Sequence, residues 1–401
     1  MKKKNSVVFK RHMFWWRFYT PVVKLIAKLR GHKFVGEKLP MKNGEQYIIL
    51  SNHQTDMDGI LLGLLTERNY YGLTSDSFFS KGWQAKMFTH QFGIIAKKKG
   101  VVDIASNMKM MKCIKEGGSL LIYPEGNRTY AEFQFPFTEG FGKFVRHFNL
   151  PVAIFNVHGG TGCYPRFGGE KRKGPHYTCL KRIIKPEEYS NWSDEAFEQV
   201  MKDELRVFDS ESGCLYKSDK KAEYLERMFF VCPKCGAVQT LSSKGDHFTC
   251  SNCHLDVEYT EDLHLKSADP EFKYNKLIDW YNYQIRFVRD YKLTDDVIFK
   301  DQNVTLFISN VGKKRKAIFK GELTMFKDKL VFGDIVINVS DIEIASPISG
   351  TKFNFSTSNE NYLAVGDERF NPLKYVLMLN KVESKMKINK TDIYYSLEER
   401  N

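Results

Sequence analysis

Two short polar clusters carry residue types that could do chemistry: Asn52-His53-Gln54-Thr55-Asp56-Met57-Asp58 and Tyr123-Pro124-Glu125-Gly126-Asn127-Arg128. An imidazole titrates close to neutrality, so His53 could take a proton from an alcohol, a service worth roughly 10²–10⁴ in rate. Asp58, five residues on, could reach back to one ring nitrogen if the chain turns into a helix between them, which would fix the tautomer and leave the other nitrogen facing a substrate. In the second cluster Arg128 offers a planar fork suited to a phosphate or carboxylate, and Glu125 could bind a hydroxyl or hold Arg128 in place. Gly126 lets the backbone turn sharply beside a ligand. A third basic element, Lys97-Lys98-Lys99, lies between them, and its plain alternative is a solvated charge run. For His53 taken alone the plain alternative is a histidine that caps a turn.

A separate constellation is Cys232-Pro233-Lys234-Cys235-Gly236 followed by Cys250-Ser251-Asn252-Cys253. Two C-x-x-C pairs across a hairpin-length segment bring four thiolates into tetrahedral reach, the arrangement of a zinc ribbon. A thioredoxin-like redox motif needs one such pair beside a βαβ unit, and here there are two. A closed four-cysteine site is structural, and its zinc ion could supply on the order of 10–16 kcal/mol toward folding a small module. Cysteine ligands also imply a reducing compartment, hence the cytoplasm. His247 and His254 are spare ligand candidates, whereas Cys113, Cys163, Cys179 and Cys214 read as small buried hydrophobes.

The elements that must position the two polar clusters are short apolar runs. Tyr47-Ile48-Ile49-Leu50 leads into the first and Ser119-Leu120-Leu121-Ile122 into the second, each too short and apolar for a surface helix and so read as a buried strand. Carboxyl ends of neighbouring parallel strands form the crevice of an open α/β sheet, where motifs distant in sequence meet. Gly59 to Leu65 reads as a helix after the first cluster, with Thr55 or Asp56 as N-cap. Phe141, Phe144, Val145 and Phe148 mark an amphipathic helix whose stripe reads as core, and Pro151 to Val157 reads as another buried strand. His158 to Pro175, rich in glycine and basic residues, reads as a loop near the crevice that could meet an acidic carrier through Arg166, Lys171, Arg172 and Lys173. Residues 185–228 read as helical and as closing the first domain.

In family order these clusters resemble the 1-acylglycerol-3-phosphate acyltransferases, also called lysophosphatidic acid acyltransferases. The N-H-x-x-x-x-D block matches at Asn52, His53 and Asp58, and the F-P-E-G-T-R block at Pro124, Glu125, Gly126 and Arg128. Weaker blocks align at Gly93, Ile95 and Lys99 and at Pro151 and Val152, so the resemblance spans about residues 35–210. Lys99 stands where the family usually has Arg, Asn127 where it has Thr, and Phe155 where it often has a second Pro. The resemblance implies an α/β fold with a mostly parallel sheet flanked by helices. It also implies that His53 is the base that deprotonates a glycerol hydroxyl and that Asp58 orients it, while Lys99, Glu125, Gly126 and Arg128 bind the glycerol phosphate. The hydroxyl would attack an acyl thioester of CoA or acyl carrier protein without an acyl-enzyme and without an organic cofactor, giving phosphatidic acid. An alcohol needs such a base, whereas a thioester is already activated.

Composition bounds the rest. The 401 residues allow two or three domains, and a formal net charge of +13 points to an anionic partner. Residues 1–36 carry ten basic and no acidic residues, interleaved with Phe9, Phe14, Trp15, Trp16, Phe18 and Tyr19, a mixture suited to an anionic membrane interface. A helix packed on the protein is the plain alternative. No run of about 18 apolar residues occurs, so no transmembrane span is expected, and basic residues interrupt any signal-peptide core. The expected location is the cytoplasmic face of a membrane, peripheral or monotopic. The segments read as an interface helix (1–35), an acyltransferase domain (36–228), a zinc ribbon (229–262), a helical linker (263–295) and a β-rich domain (296–390). That last domain, short strands closed by a helix from Pro372 to about Val382, resembles the pleckstrin-homology or GRAM-like superfold. Two readings compete with a lysophosphatidic acid acceptor: another glycerolipid acceptor, and a zinc-ribbon protein that binds nucleic acid. The second leaves His53, Asp58, Glu125 and Arg128 without a purpose.

Overall fold

The computed structural model describes residues 6–75, 83–97, 103–130, 132, 134, 137–310 and 315–386. By contacts the chain divides into two compact units, Met1–Cys163 with Pro175–Asp209, and Tyr164–Gly174 with Ser210–Asn401.

The first unit is built on seven strands: β1 (His32–Val35), β2 (Ile48–Ser51), β3 (Tyr71–Ser75), β4 (Ile95–Lys97), β5 (Leu120–Ile122), β6 (Val152–His158) and β7 (His176–Ile184). They lie in the order β1-β7-β6-β2-β5-β3-β4. The five strands from β6 to β4 run parallel, β7 is antiparallel to β6, and β1 is parallel to β7. The central strands are mostly apolar because both faces are covered, and alternate side chains feed different cores. Ile48, Leu50, Leu120, Ile122, Val152 and Ile154 pack with Phe141 and Val145 of helix Phe141–Arg146. Ile49, Leu121, Ala153 and Phe155 pack on the opposite side with Leu39, Leu62 and Leu65. Phe144 and Phe148 lie against the first of these cores, so the phenylalanine stripe is structural.

Helix Lys10–Arg30 ends in a left-handed Gly31. The chain before it is held by the Glu116 carboxylate, which accepts from the Ser6 hydroxyl and the amides of Val7 and Val8 at 2.8–2.9 Å. The helix buries His12 and Ala27 and exposes Phe14, Phe18, Val22, Leu25 and Leu29. Spaced by four, four, three and four residues, these five share one face.

The second unit holds two antiparallel sheets. The smaller contains β8 (Leu241–Lys244), β9 (His247–Cys250), β10 (Asp256–Tyr259) and β11 (Leu265–Lys266), followed by helix Leu277–Asp290. The larger contains β12 (Phe299–Ile308), β13 (Lys316–Met325), β14 (Lys329–Phe332), β15 (Ile335–Asn338), β16 (Ile342–Ser349), β17 (Lys352–Thr357) and β18 (Asn361–Val365), followed by helix Pro372–Met386. Its order is β15-β14-β13-β12-β18-β17-β16.

Three stretches differ from the sequence reading. The helical linker read over 263–295 is helical only at Leu277–Asp290, and its Leu265–Lys266 forms β11, paired with β10. Residues 164–174, read as a crevice loop, group with the second unit, where the backbones of Lys173 and Lys217 pair at 3.0 and 2.8 Å. The helical reading of 185–228 holds for Pro186–Tyr189 and Asp194–Leu205. From Asp209 on the chain is irregular apart from short 3₁₀ turns at Asp209–Glu211 and Leu225–Arg227, and it buries Tyr216, Ala222, Leu225 and Met228 in the second unit.

Candidate active site

Strands β2 and β5 are adjacent and in parallel register, Ile48 opposite Leu120 and Leu50 opposite Ile122, so the clusters that follow them emerge side by side. A direct bond joins them: the Thr129 amide donates to the His53 carbonyl at 2.9 Å.

His53 Nδ1 lies 3.0 Å from Asp58 Oδ2. The same carboxylate accepts the amides of Gln54 at 2.7 Å and Thr55 at 2.8 Å, and the Thr55 hydroxyl donates to its other oxygen. Burial alone would push the Asp58 carboxyl up, but the His53 contact and the Thr55 hydroxyl and amide outweigh it and hold it below its ordinary value. An ionised Asp58 requires the proton on Nδ1 and leaves the Nε2 lone pair as the basic site. The Asp58 side chain is fully buried while that of His53 is 23% exposed, so the orienting group is sealed and the base reaches solvent. The His53 ring stacks on Tyr123, with centroids 4.2 Å apart and planes at 22°. Burial pushes the Tyr123 phenol well up.

The turn expected after the first cluster forms with different caps. The helix is Asp58–Leu61, continued by a 3₁₀ turn over Leu62–Leu65, and its N-cap is Met57 without a side-chain bond. Asp56 instead pairs with Arg30 at 3.2 Å, and Thr55 serves Asp58. Asn52 and Gln54 are structural. The Asn52 carboxamide exchanges bonds of 2.9 and 2.8 Å with the Val157 backbone at the end of β6, and Gln54 Oε1 accepts the Gly160 amide at 2.7 Å. Asp209, which sequence reading passed over, accepts the Gly159 and Thr161 amides at 2.7 and 3.2 Å, and burial pushes its pKa up to about 6.

A cleft at these strand ends is lined by His53 and Glu125 together with Thr129, Glu132, Gln134 and Arg206. Glu125 is buried at 8% exposure, and Gly126 takes the left-handed φ of 65° that its turn requires. Arg128, partly exposed, directly precedes Thr129. Lys99 lies outside the described residues. Arg206 was not singled out from sequence. It follows helix Asp194–Leu205 with no motif around it, and only the fold brings it to the cleft.

Residues 32–157 match the Acyltransferase family model. The matched stretch, about a third of the chain, contains both polar clusters and runs from the start of β1 to Val157 of β6. No curated protein matches the chain. Among solved structures, the 1-acyl-sn-glycerophosphate (LPA) acyltransferase PlsC from Thermotoga maritima is similar at 13% identity, over 49% of this chain and 92% of that chain, with a TM-score of 0.38. In the first unit Cys113 is buried, and burial pushes its thiol up; Cys163 is buried and Cys179 half-buried. None of the three lines the cleft.

The four paired cysteines of the second unit also come together. Their sulfurs all lie within 4.8 Å of one another. His247 instead contacts Asp256 at 2.9 Å. No described helix is long and apolar enough to cross a membrane.

Proposed function

We propose that the first unit moves a fatty acyl group from an acyl thioester, of CoA or acyl carrier protein, to the free hydroxyl of 1-acylglycerol 3-phosphate, giving phosphatidic acid. The observation that carries this reading is the buried Asp58 carboxylate on His53 Nδ1, beside a strand end bearing Glu125 and Arg128. His53 Nε2 takes the hydroxyl proton as the oxygen attacks the thioester carbonyl. The C–S bond then breaks, and the leaving thiolate recovers that proton from the imidazolium. The base turns a poor nucleophile into a good one, while Asp58 stabilises the imidazolium formed on the way. Arg128 and Lys99 would hold the phosphate, with Glu125 and the Gly126 turn shaping the acceptor site. Lys99 keeps a charge but lacks the fork of an arginine, so it holds phosphate as a point charge.

The lipid acceptor implies a bilayer, and helix Lys10–Arg30 supports one on the cytoplasmic face. Its five exposed apolar residues form a stripe among Lys10, Arg11, Arg17, Lys24 and Lys28, and each basic residue near an anionic surface contributes about 1 kcal/mol. Phe14→Ser with Phe18→Ser should lower co-sedimentation with phosphatidylglycerol vesicles and leave turnover on detergent-dispersed substrate unchanged. Undiminished sedimentation would remove this helix as the contact. The enzymatic reading is tested by thiol release from acyl-CoA with lysophosphatidic acid, glycerol 3-phosphate or lysophosphatidylcholine as acceptor. Release that needs His53 but prefers another acceptor would keep the mechanism and change the product.

A further inference from the structure

We propose that Cys232, Cys235, Cys250 and Cys253 bind one zinc ion in a closed tetrathiolate site that holds the middle of the second unit folded. This inference is independent of the acyltransferase reading. The sulfurs of Cys232 and Cys253 are 3.6 Å apart and those of Cys235 and Cys250 3.9 Å. Four sulfurs each about 2.3 Å from a tetrahedral zinc ion define edges of about 3.8 Å. A disulfide would require about 2.04 Å. The spacing therefore suits four ligands of one ion.

The two arms are built alike. Gly236 and His254 each follow the second cysteine of a pair, and both adopt left-handed backbone, with φ of 70° and 56°. Their amides donate to the carbonyl of the first cysteine of the pair, Gly236 to Cys232 at 2.9 Å and His254 to Cys250 at 3.0 Å. A left-handed conformation costs a residue with a Cβ roughly 1–2 kcal/mol, so His254 takes the loop geometry against its own preference. Polar side chains also meet the sulfurs. Asn252 Nδ2 donates to Cys235 Sγ at 3.4 Å, and Thr240 Oγ1 lies 3.3 Å from Cys250 Sγ. A thiol is a weak acceptor and a thiolate a strong one, so these contacts favour the anionic form that a metal requires.

Soft thiolates select zinc or iron among common ions, and zinc stands above ferrous iron in affinity. With all four positions taken by cysteine the site leaves no place for substrate, so its role is to cross-link. What it links is visible around Trp280. The Trp280 ring, fully buried, lies 4.9 Å from Phe229 and 5.1 Å from Phe248, and its indole donates to the Val231 carbonyl at 3.0 Å. Gln284, also fully buried, accepts from the Phe230 amide and donates to the Met228 carbonyl, at 2.8 and 3.0 Å. Helix Leu277–Asp290 thus grips the extended segment, Met228 to Val231, that enters the first cysteine pair. The ion would fasten that pair to Cys250 and Cys253 at the end of β9.

Metal analysis of the untagged full-length protein should find one zinc per chain. Replacement by Co²⁺ should give thiolate-to-cobalt charge-transfer absorption with the visible bands of a tetrahedral site. Cys250→Ser should lose the ion, whereas Cys235→His, which exchanges one ligand for another, should keep it. Because a serine variant could fail by unfolding, hydrogen exchange is followed in the wild-type protein with and without a strong chelator. Chelation should remove protection from amides in 229–290 and leave it in β2 and β5. A folded protein with no bound metal, a mass spectrum showing disulfides among these cysteines, or iron in place of zinc would overturn the assignment. Unchanged exchange over 229–290 after metal removal would overturn the cross-linking role.

Discussion

The polar cluster at the ends of β2 and β5 and the cysteine cluster of the second unit both gather reactive side chains, but they are assembled by opposite means. His53 and Asp58 are five residues apart, yet their partner cluster begins about seventy residues later and arrives only because a parallel sheet seats β5 beside β2. The site is therefore held by the cores on both faces of the sheet and by polar fastenings such as Asn52 to Val157. The cysteine pairs sit within 22 consecutive residues, counted from Cys232 to Cys253, on short loops with repeated geometry and little core of their own. One site depends on the fold around it; in the other, the proposed ion sustains the local fold. A chemical site read from sequence can thus be a product of the fold or a cause of it.

Perturbing His53 should change chemistry and spare stability. His53→Ala is expected to lower acyl-transfer turnover by on the order of 10²–10⁴ while the thermal transition stays within a few degrees of wild type. A variant that unfolds would show that His53 is structural after all. Asp58→Asn should lower turnover by on the order of 10²-fold or more and, unlike His53→Ala, should also destabilise the turn, because the neutral carboxamide weakens the three bonds made to Oδ2 and, with its oxygen kept there, sets an NH₂ against the Thr55 hydroxyl that donates to Oδ1. A steady-state kcat measured beside a melting curve separates the two effects.

A third test uses acid. Burial lowers the pKa values of His12 and His32 to about 4, so their stabilising neutral state is fully present above pH 6.5 and is lost progressively as pH falls toward 4. Asp209, raised to about 6, works the other way: its buried charge costs stability above pH 6, and protonation relieves that cost as pH falls. His158, also lowered by burial, acts in the same direction, so the histidines outweigh the aspartate and leave a net loss expected to be on the order of a few kcal/mol between pH 7 and pH 5. Urea midpoints of the first unit's exchange-protected amides would reveal it, and a rising midpoint toward pH 5 would mean that Asp209 dominates. The smallest expected effect is that of Tyr123→Phe. The Tyr123 hydroxyl is buried with no hydrogen-bond partner among the described residues, so its removal should leave turnover unchanged and shift stability by no more than about 1 kcal/mol. Loss of activity in this variant would assign that hydroxyl a role beyond ring stacking.

Sequence was most informative where physics is local. Apolar runs ending in polar clusters announced β2 and β5, and the cysteine spacing announced that four sulfurs would gather, because strand burial and paired-cysteine loops each leave their signature within a few residues. Caps were misassigned at Met57, since Thr55 and Asp56 both have capping side chains and only tertiary contacts with Asp58 and Arg30 decide their use. Arg206 and Asp209 escaped notice because nothing beside them in sequence marks them; strand order and the packing of helix Asp194–Leu205 bring them to the cleft and to the Gly159 loop. The allegiance of residues 164–174 is likewise a matter of long-range contact.

The central claim is that Asp58-oriented His53 is the base of an acyl transfer. Its most direct test is thiol release from acyl-CoA in the presence of lysophosphatidic acid, comparing folded wild-type protein with His53→Ala on the same vesicles. Release that requires the acceptor and disappears in the variant is the predicted result. Equal release by both proteins, or none from folded wild-type protein with any glycerolipid acceptor or thioester donor, would contradict it.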